Sequence, residues 1–161
     1  MKSRLKKIKK VSINRHKKCF EISTSRATYH FPFSKLMEDV GPGNTVVEAY
    51  VDPELANECI TYFLEDGTEG ALHLDSVLEV NEDPEYMKNL LVYNMTVRAI
   101  ECVKQSGLSK REISRRLKTS PAQLYRLLDT ANYSKSINQL LKLFHICGAK
   151  VDFIVKDFIV K

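Results

Sequence analysis

The amino-acid sequence predicts an α+β protein: a small antiparallel-sheet N-terminal domain, then an all-helical helix-turn-helix bundle with a C-terminal strand. Two observations predict this arrangement. Residues 1–82 carry short alternating apolar runs separated by turn residues, which is typical of strands. Residues 83–161 carry longer stretches with helix-start residues and apolar side chains at helical spacing. We therefore expect an N-terminal domain over residues 1–82 and a helix-turn-helix domain over residues 83–161.

The composition limits the kind of protein this is. The chain has 161 residues, of which 43% are hydrophobic, so it can bury a core. Its apolar runs fall short of the roughly 18 residues that a membrane-spanning helix needs. The four cysteines stand far apart without a C-x-x-C motif, and no secretory apolar segment follows the basic start. We therefore expect reduced thiols in a cytoplasmic protein.

Charge is distributed unevenly along the chain. Residues 1–35 hold 11 Lys and Arg against the single acid Glu21, whereas residues 36–87 hold 14 Asp and Glu and no Lys or Arg. Residues 88–161 are basic again, with 14 Lys and Arg against five acids. A basic C-terminal part favours nucleic-acid binding. The acidic middle could pair with the basic first 35 residues or face a basic partner protein.

The N-terminal domain is predicted to be mostly strands. We expect a basic β-hairpin within residues 5–22, whose lysines form a nucleic-acid arm, a nuclear-import signal, or the solvated face and protected edge of a small sheet. An Asp66-Gly67 pair between apolar runs is a strong hairpin signal. The further predicted elements are strands Ala27–Phe31, Thr45–Val51, Cys59–Glu65 and Thr68–His73 and a short helix Ser34–Val40.

The helical domain has clear start and stop signals. Asp83 and Pro84 are predicted to begin a long helix that ends near Gln105, before Gly107. A later helix should be capped by Ser134 or Ser136 and end at Gly148, and the alternating segment Lys150–Val160 is predicted to be a strand.

Two short helices lie between these elements. Ser109 and Glu112 form a capping box for a helix to about Leu117, and Ser120, Pro121 and Gln123 begin a second one after a turn at Lys118-Thr119. This is the helix-turn-helix plan. Apolar residues fall on the inner side, and the outer side is basic with a polar tip suited to the DNA major groove. The outer side consists of Lys110, Arg111, Arg115, Arg116, Ala122, Gln123, Tyr125 and Arg126.

The segment REISRRLKTSPAQLYRLLDTANYSKSINQLLKLFHICGAKVDF resembles the helix-turn-helix of the Cro/cI (Xre) superfamily, most closely the version found in bacterial antitoxins. The resemblance covers roughly residues 95–153. Its most specific parts are Ser120 with Leu124, the RLLD ending and the later helix. The family usually has Ala where Ser114 stands and Gly where Lys118 stands. We expect Ser114 to permit close helix approach and Lys118 to adopt a left-handed conformation at a cost of about 1 kcal/mol.

The resemblance implies roles for individual residues. Its base-facing positions are Pro121, Ala122, Gln123 and Arg126, and phosphates would bind at Ser109, Lys110 and Ser120. Tyr125 would be either a packing residue or a phosphate donor. The implied function is a sequence-specific DNA-binding transcriptional repressor, in its narrower form an antitoxin that represses its own operon. The alternative is a protein-interaction module whose helical domain only dimerises.

Partners and chemistry follow from the same residues. We expect double-stranded DNA, a second copy of the chain paired through Lys150–Val160, and a basic toxin protein as partners, without a membrane. No cofactor is expected, and an enzyme is not expected, because no nucleophile motif or phosphate loop is present. The histidines lack metal-ligand spacing, so we expect no metal site at His16, His30, His73 and His145.

Overall fold

The computed structural model describes residues 7–38 and 40–155, and the chain divides into two units at the Met87–Lys88 bond. The first unit contains two three-stranded antiparallel sheets with strand orders β1-β2-β3 and β4-β5-β6. Their strands are β1 (Ile8–Asn14), β2 (Cys19–Thr24), β3 (Thr28–Pro32), β4 (Val46–Val51), β5 (Cys59–Leu64) and β6 (Glu69–His73).

Alternation along the strands builds the core of the first unit. Phe20 pairs with Phe31 across β2 and β3, and Ile60 pairs with Leu72 across β5 and β6. All four side chains are buried, because every second residue of a strand points to the same face. Helix α1 (Leu74–Val80) adds three buried side chains to this core, including Val77.

The second unit is helical and starts within α2 (Pro84–Gln105), followed by α3 (Lys110–Leu117), α4 (Pro121–Leu127) and α5 (Ile137–Ile146). These bounds confirm the helices predicted from capping and apolar spacing. Gly107 and Gly148 have φ of 68° and 79°, the left-handed conformation that ends helices. The core of this unit is made by Ala99, Val103, Ile113, Leu117, Leu124, Leu127, Leu140, Leu143 and Phe144.

The predicted arrangement of one small sheet followed by an all-helical bundle is wrong, although the class is α+β. Helices and strands are interleaved: a 3-10 helix, Phe33–Lys35, lies between the two sheets in place of the predicted helix Ser34–Val40. Helix α1, which was not predicted, packs against β3 and β6. The arrangement follows from strand pairing between separated segments: after a turn closed by Gly41 and Asn44, β4 pairs with β5 and forms a second sheet.

The predicted C-terminal strand is also wrong for its described part. Residues 150–155 form no strand, and Phe153 and Ile154 are 80% and 81% exposed. An alternating pattern produces a strand only where a neighbouring strand accepts its backbone hydrogen bonds. None pairs with it among the described residues. The remainder of Lys150–Val160, from residue 156, lies outside the described residues, as do residues 1–6 of the predicted basic hairpin.

Candidate nucleic-acid interface

Helix α3 begins and ends with local devices that the sequence specifies. The Ser109 Oγ accepts a hydrogen bond from the Glu112 backbone N–H at 3.1 Å, which is the capping interaction of the helix start. At the other end Lys118 has φ 53° and ψ 46°, so the predicted left-handed conformation is confirmed. Its backbone N–H donates to the Arg115 carbonyl at 3.1 Å, which satisfies a carbonyl of the last turn.

Helix α4 follows directly from this turn. The Ser120 Oγ accepts from the Gln123 N–H at 3.2 Å, and Pro121 occupies the first helical position, where its missing N–H is not needed. Ser114 lies buried, and its hydroxyl donates to the Lys110 carbonyl at 2.9 Å, so a small polar residue is accommodated at the position where α3 packs. The turn and the packing together hold α3 and α4 as a helix-turn-helix pair.

The outward face of this pair carries the residues singled out from the sequence. Every one of them is exposed, including both capping serines, and they follow one another along α3 and α4. These exposed residues are Ser109, Lys110, Arg111, Arg115, Arg116, Ser120, Pro121, Ala122, Gln123, Tyr125 and Arg126. Arg126 makes no side-chain hydrogen bond or ion pair with any described residue, so its guanidinium is available to a ligand.

Two of the arginines are held by a carboxylate. Glu112 accepts from Arg115 Nε at 2.9 Å and Nη2 at 2.7 Å, and from Arg116 Nε at 2.7 Å. These hydrogen bonds lower the pKa of Glu112 from 4.5 to about 2, since they favour its charged form. The sequence predicted Glu112 only as a capping partner. The pairing leaves Arg115 and Arg116 with a smaller net positive charge to offer a phosphate.

Lys110 and Tyr125 connect the two helices on the outward face. The Lys110 Nζ lies 4.6 Å from the centre of the Tyr125 ring, a distance at which the cation is attracted to the ring face. Tyr125 is 57% exposed, so its ring packs against Lys110 while the remainder of its surface is open to a ligand. The start of α3 and the outer side of α4 therefore form one continuous polar surface.

Sequence reasoning missed Lys135. Its ammonium donates to the Thr96 Oγ1 at 2.8 Å, to the Leu127 carbonyl at 2.9 Å and to the Asp129 carbonyl at 2.6 Å. Partial burial lowers the pKa of Lys135. It ties the end of α4 to α2, and no local sequence signal indicates this role, because its partners come from separated segments. A polar groove between the starts of α4 and α5 lies beside it, lined by Thr119, Gln123, Arg126, Asn132, Ser134 and Gln139.

The described residues were also compared with the requirements of a metal site, a disulfide and a membrane-spanning helix. Over residues 7–38 and 40–155, no cluster of three His, Cys, Asp or Glu is arranged to hold a metal ion. Cys19, Cys59, Cys102 and Cys147 are free thiols. Within the same residues, no helix combines the length and the apolar character needed to cross a bilayer.

Comparisons of this chain with protein-family models, curated proteins and solved structures find no match. The resemblance to the Cro/cI superfamily therefore rests on the residues quoted from the sequence.

Proposed function

We propose that this protein is a sequence-specific DNA-binding transcriptional regulator that acts as a repressor. The observation that carries the proposal is the pair α3 and α4, joined by a left-handed turn, with Gln123 and Arg126 exposed on the outward face of α4. A helix presented in this way fits the major groove, where base pairs can be distinguished by hydrogen bonds.

The residues of α4 suit base contacts of different kinds. An arginine such as Arg126 can bind guanine through two hydrogen bonds, and a glutamine such as Gln123 can bind adenine in the same way. Pro121 and Ala122 offer only apolar contact, as to a thymine methyl group. Sequence preference should therefore depend on few positions per half-site.

The residues of α3 suit the DNA backbone. Ser109 and Lys110 stand at the start of α3, where backbone N–H groups and the helix dipole favour a phosphate. Arg111 is exposed, and Arg115 and Arg116 can exchange Glu112 for a phosphate. These contacts supply affinity without sequence information.

The charge of residues 36–87 supports a narrower version of the proposal, an antitoxin that represses its own operon. With 14 acids and no Lys or Arg, this segment can attract a cationic protein such as an RNA-cleaving toxin. The competing function is a protein-interaction module without DNA affinity. The ion pairs of Glu112 with Arg115 and Arg116 favour this interaction module, because they make both arginines less available to phosphates of DNA.

One experiment separates these functions. The full-length protein is used to select duplexes from a random pool, and the enriched site is then titrated at several salt concentrations. We expect one enriched sequence and an affinity that falls with salt, with a slope of about −0.9 for each phosphate neutralised. No enrichment together with no salt dependence would reject DNA binding and leave the interaction module.

A further inference from the structure

Helix α4 is packed into the second unit by few side chains. It is seven residues long, and two of its side chains, Leu124 and Leu127, are buried. A helix of this length has little stability of its own in water. Apolar burial is also non-directional, so two leucines hold α4 in place without defining its orientation closely. The direction in which Gln123 and Arg126 point therefore depends on further contacts.

The loop after α4 supplies these contacts as hydrogen bonds to backbone carbonyls. The Asn132 Nδ2 donates to the Arg126 carbonyl at 3.1 Å. The Lys135 ammonium donates to the Leu127 carbonyl at 2.9 Å and to the Asp129 carbonyl at 2.6 Å. Carbonyls at the end of a helix lack intrahelical partners, and a cation is favourable there because the helix dipole is negative at that end. Two side chains of the loop thus hold the last turn of α4.

The third hydrogen bond of Lys135 reaches a different helix. Its ammonium donates to the Thr96 Oγ1 at 2.8 Å, and Thr96 lies on α2 with 0% of its surface exposed. The Thr96 hydroxyl in turn donates to the Val92 carbonyl at 2.7 Å. An ammonium has three donors, and Lys135 uses all three within the protein, so none remains for a phosphate. Because hydrogen bonds are directional, the three bonds relate the end of α4 to α2 in both distance and orientation.

We propose that Lys135 is a positioning residue for sequence recognition by α4, an inference that rests on the proposed DNA-binding function. Lys135 and Asn132 fix the last turn of α4 relative to α2, and this sets the direction from which Gln123 and Arg126 approach the base edges. A base contact through two hydrogen bonds needs accurate placement of the side chain. Lys135 therefore acts on the discrimination between DNA sequences and leaves the contacts to phosphates unchanged.

The test compares the full-length protein with Lys135→Met, which keeps the length of the side chain and removes the ammonium. Titrations at several salt concentrations give the ratio of the affinities for the selected operator and for random duplexes. We expect Lys135→Met to lower this ratio about ten-fold, equivalent to the loss of one base contact, with the affinity for random duplexes and the salt slope unchanged. Equal losses on both kinds of DNA with a smaller salt slope would make Lys135 a phosphate contact and overturn the proposal.

Lys104→Met is the matched control for the lost charge. Lys104 is exposed on α2, and its ammonium makes no hydrogen bond or ion pair with any residue in the described part of the chain. The same substitution at this position should leave the ratio of operator to random affinity unchanged. A control that loses as much discrimination as Lys135→Met would overturn the proposal, since a general effect of charge would then explain both.

Thr96→Val tests the same contact from a buried position that cannot touch DNA. It removes the hydroxyl that accepts from Lys135 and keeps the volume of the side chain, so it should lower the ratio about three- to ten-fold. Thr96→Ser retains a hydroxyl and should retain most of the discrimination. Thr96→Val combined with Lys135→Met should add little further loss, because the two residues act through one contact. Full discrimination in both single variants would reject the positioning role and leave the proposed function intact.

Hydrogen exchange of the free protein gives a readout without DNA. The Leu128 amide donates to the Leu124 carbonyl at 3.0 Å at the end of α4, and the Ile113 amide donates to the Ser109 carbonyl at 3.0 Å in α3. In Lys135→Met we expect the Leu128 amide to exchange roughly ten-fold faster and the Ile113 amide to keep its rate. Equal acceleration in both helices would show a general loss of stability and overturn the proposal.

The two readouts separate the failure of this inference from the failure of the proposed function. If the unmodified protein selects no DNA sequence, the proposed function fails and sequence recognition by α4 fails with it, while the exchange measurement still shows whether Lys135 fixes the end of this helix. If the unmodified protein selects an operator and the Lys135→Met protein keeps both its discrimination and its Leu128 exchange rate, only the positioning role is rejected.

Discussion

Arg126 and Lys110 both lie on the outward face of the helix-turn-helix, but their surroundings differ. The Arg126 guanidinium makes no hydrogen bond with any described residue, whereas the Lys110 ammonium lies over the Tyr125 ring. Under the DNA-binding proposal, a side chain on α4 would reach base edges, while one at the start of α3 would reach only phosphates. The two residues should therefore contribute differently to DNA binding.

We expect Arg126→Ala to cost about 1–3 kcal/mol on the selected operator and little on random duplexes, since it removes a base contact. Lys110→Ala should weaken both alike and reduce the salt slope by about one unit, since it removes a phosphate contact. Fluorescence anisotropy titrations at several salt concentrations measure both effects. Equal losses on operator and random DNA for Arg126→Ala would remove α4 from the recognition role.

Glu112 makes the stability of the second unit depend on acid pH. Its folded-state pKa is lowered from 4.5 to about 2 by Arg115 and Arg116, so its stabilisation is present above pH 4.5 and is lost as the pH falls toward 2. We expect the difference in free energy of unfolding between the wild-type protein and Glu112→Gln to shrink over that range. Denaturant unfolding at a series of pH values measures it.

Glu101→Gln is the control for this prediction, because Glu101 makes an exposed ion pair with a single arginine, Arg98. Glu101→Gln should change the free energy of unfolding less than Glu112→Gln does at neutral pH, and this difference should depend less on pH. A Glu112→Gln difference that stays constant from neutral pH to acid would show that the two arginines do not stabilise the carboxylate in solution.

At the scale of the helix-turn-helix element, the backbone conformation of the turn destabilises the second unit. Lys118 has φ 53°, a conformation that disfavours residues with a Cβ atom. We expect Lys118→Gly to stabilise the second unit by up to about 1 kcal/mol, since glycine adopts this conformation without steric penalty. The urea midpoint at constant slope measures the change.

Lys118→Ala is the matched variant, because it removes the same side chain but keeps the Cβ atom. It should give no comparable stabilisation. If the alanine variant gains as much as the glycine variant, the lysine charge and not the backbone is the source of the cost.

In the sheet β4-β5-β6, one glycine makes room for a buried aromatic ring. Gly70 pairs with Tyr62 across β5 and β6, and a Cβ atom at position 70 would lie 2.6 Å from the Tyr62 Cε2. Tyr62 is 1% exposed and its hydroxyl donates to the Glu38 carboxylate, so the ring cannot move aside freely. The packing of this sheet around the Tyr62 ring therefore requires a residue without a Cβ atom at position 70.

We expect Gly70→Ala to destabilise the first unit by about 1–3 kcal/mol, the usual cost of overpacking. Thermal unfolding followed by near-ultraviolet circular dichroism measures the loss. Gly41→Ala is the control, because no atom lies within 4 Å of its added Cβ, and it should change the unfolding temperature little. Two variants of equal stability would contradict the tight packing around Tyr62.

At the scale of the whole molecule, few of the described carboxylates in residues 36–87 pair with a basic residue of the N-terminal segment. Among the described residues, Arg26 with Glu85 is the ion pair that joins an arginine or lysine of residues 1–35 to a carboxylate of residues 36–87. Strand β1 packs beside β4, and the Arg15 guanidinium donates to the backbone carbonyls of Val46 and Val47, so this arginine joins the two sheets without forming an ion pair there. Most of the described carboxylates of residues 36–87 therefore form no ion pair with a lysine or arginine of residues 7–35.

Under the antitoxin proposal, replacing the exposed residues Glu54, Glu69 and Glu79 by glutamine should weaken the capture of a basic partner protein and leave DNA affinity undiminished. The reason is that fewer carboxylates attract the cationic surface. Co-purification with the product of the neighbouring gene, at low and high salt, measures the effect. Glu101→Gln in the second unit is the control. Failure of the unmodified protein to retain any basic partner would count against the antitoxin function.

Local signals in the sequence were sufficient for most of the second unit. Serine caps, a proline at the first helical position and glycines after helix ends act within one turn of chain, so the bounds of α2 through α5 followed from them. The left-handed Lys118 was expected instead from the resemblance, which places a glycine at that position. The eleven candidate contact residues are exposed for the same reason, because helical spacing determines which side chains can be buried together.

Only the tertiary structure determined the features that depend on contacts between residues far apart in the chain. The division of six strands into two sheets depends on which strands pair by hydrogen bonds before and after the turn at Gly41–Asn44. Helix α1 is seven residues long, begins with a cap from the His73 ring and is stabilised by burying Leu74, Val77 and Leu78. Lys135 acquires its partners from α2 and the end of α4. In each case the stabilising free energy comes from packing or hydrogen bonds between separated segments, which local sequence patterns do not encode.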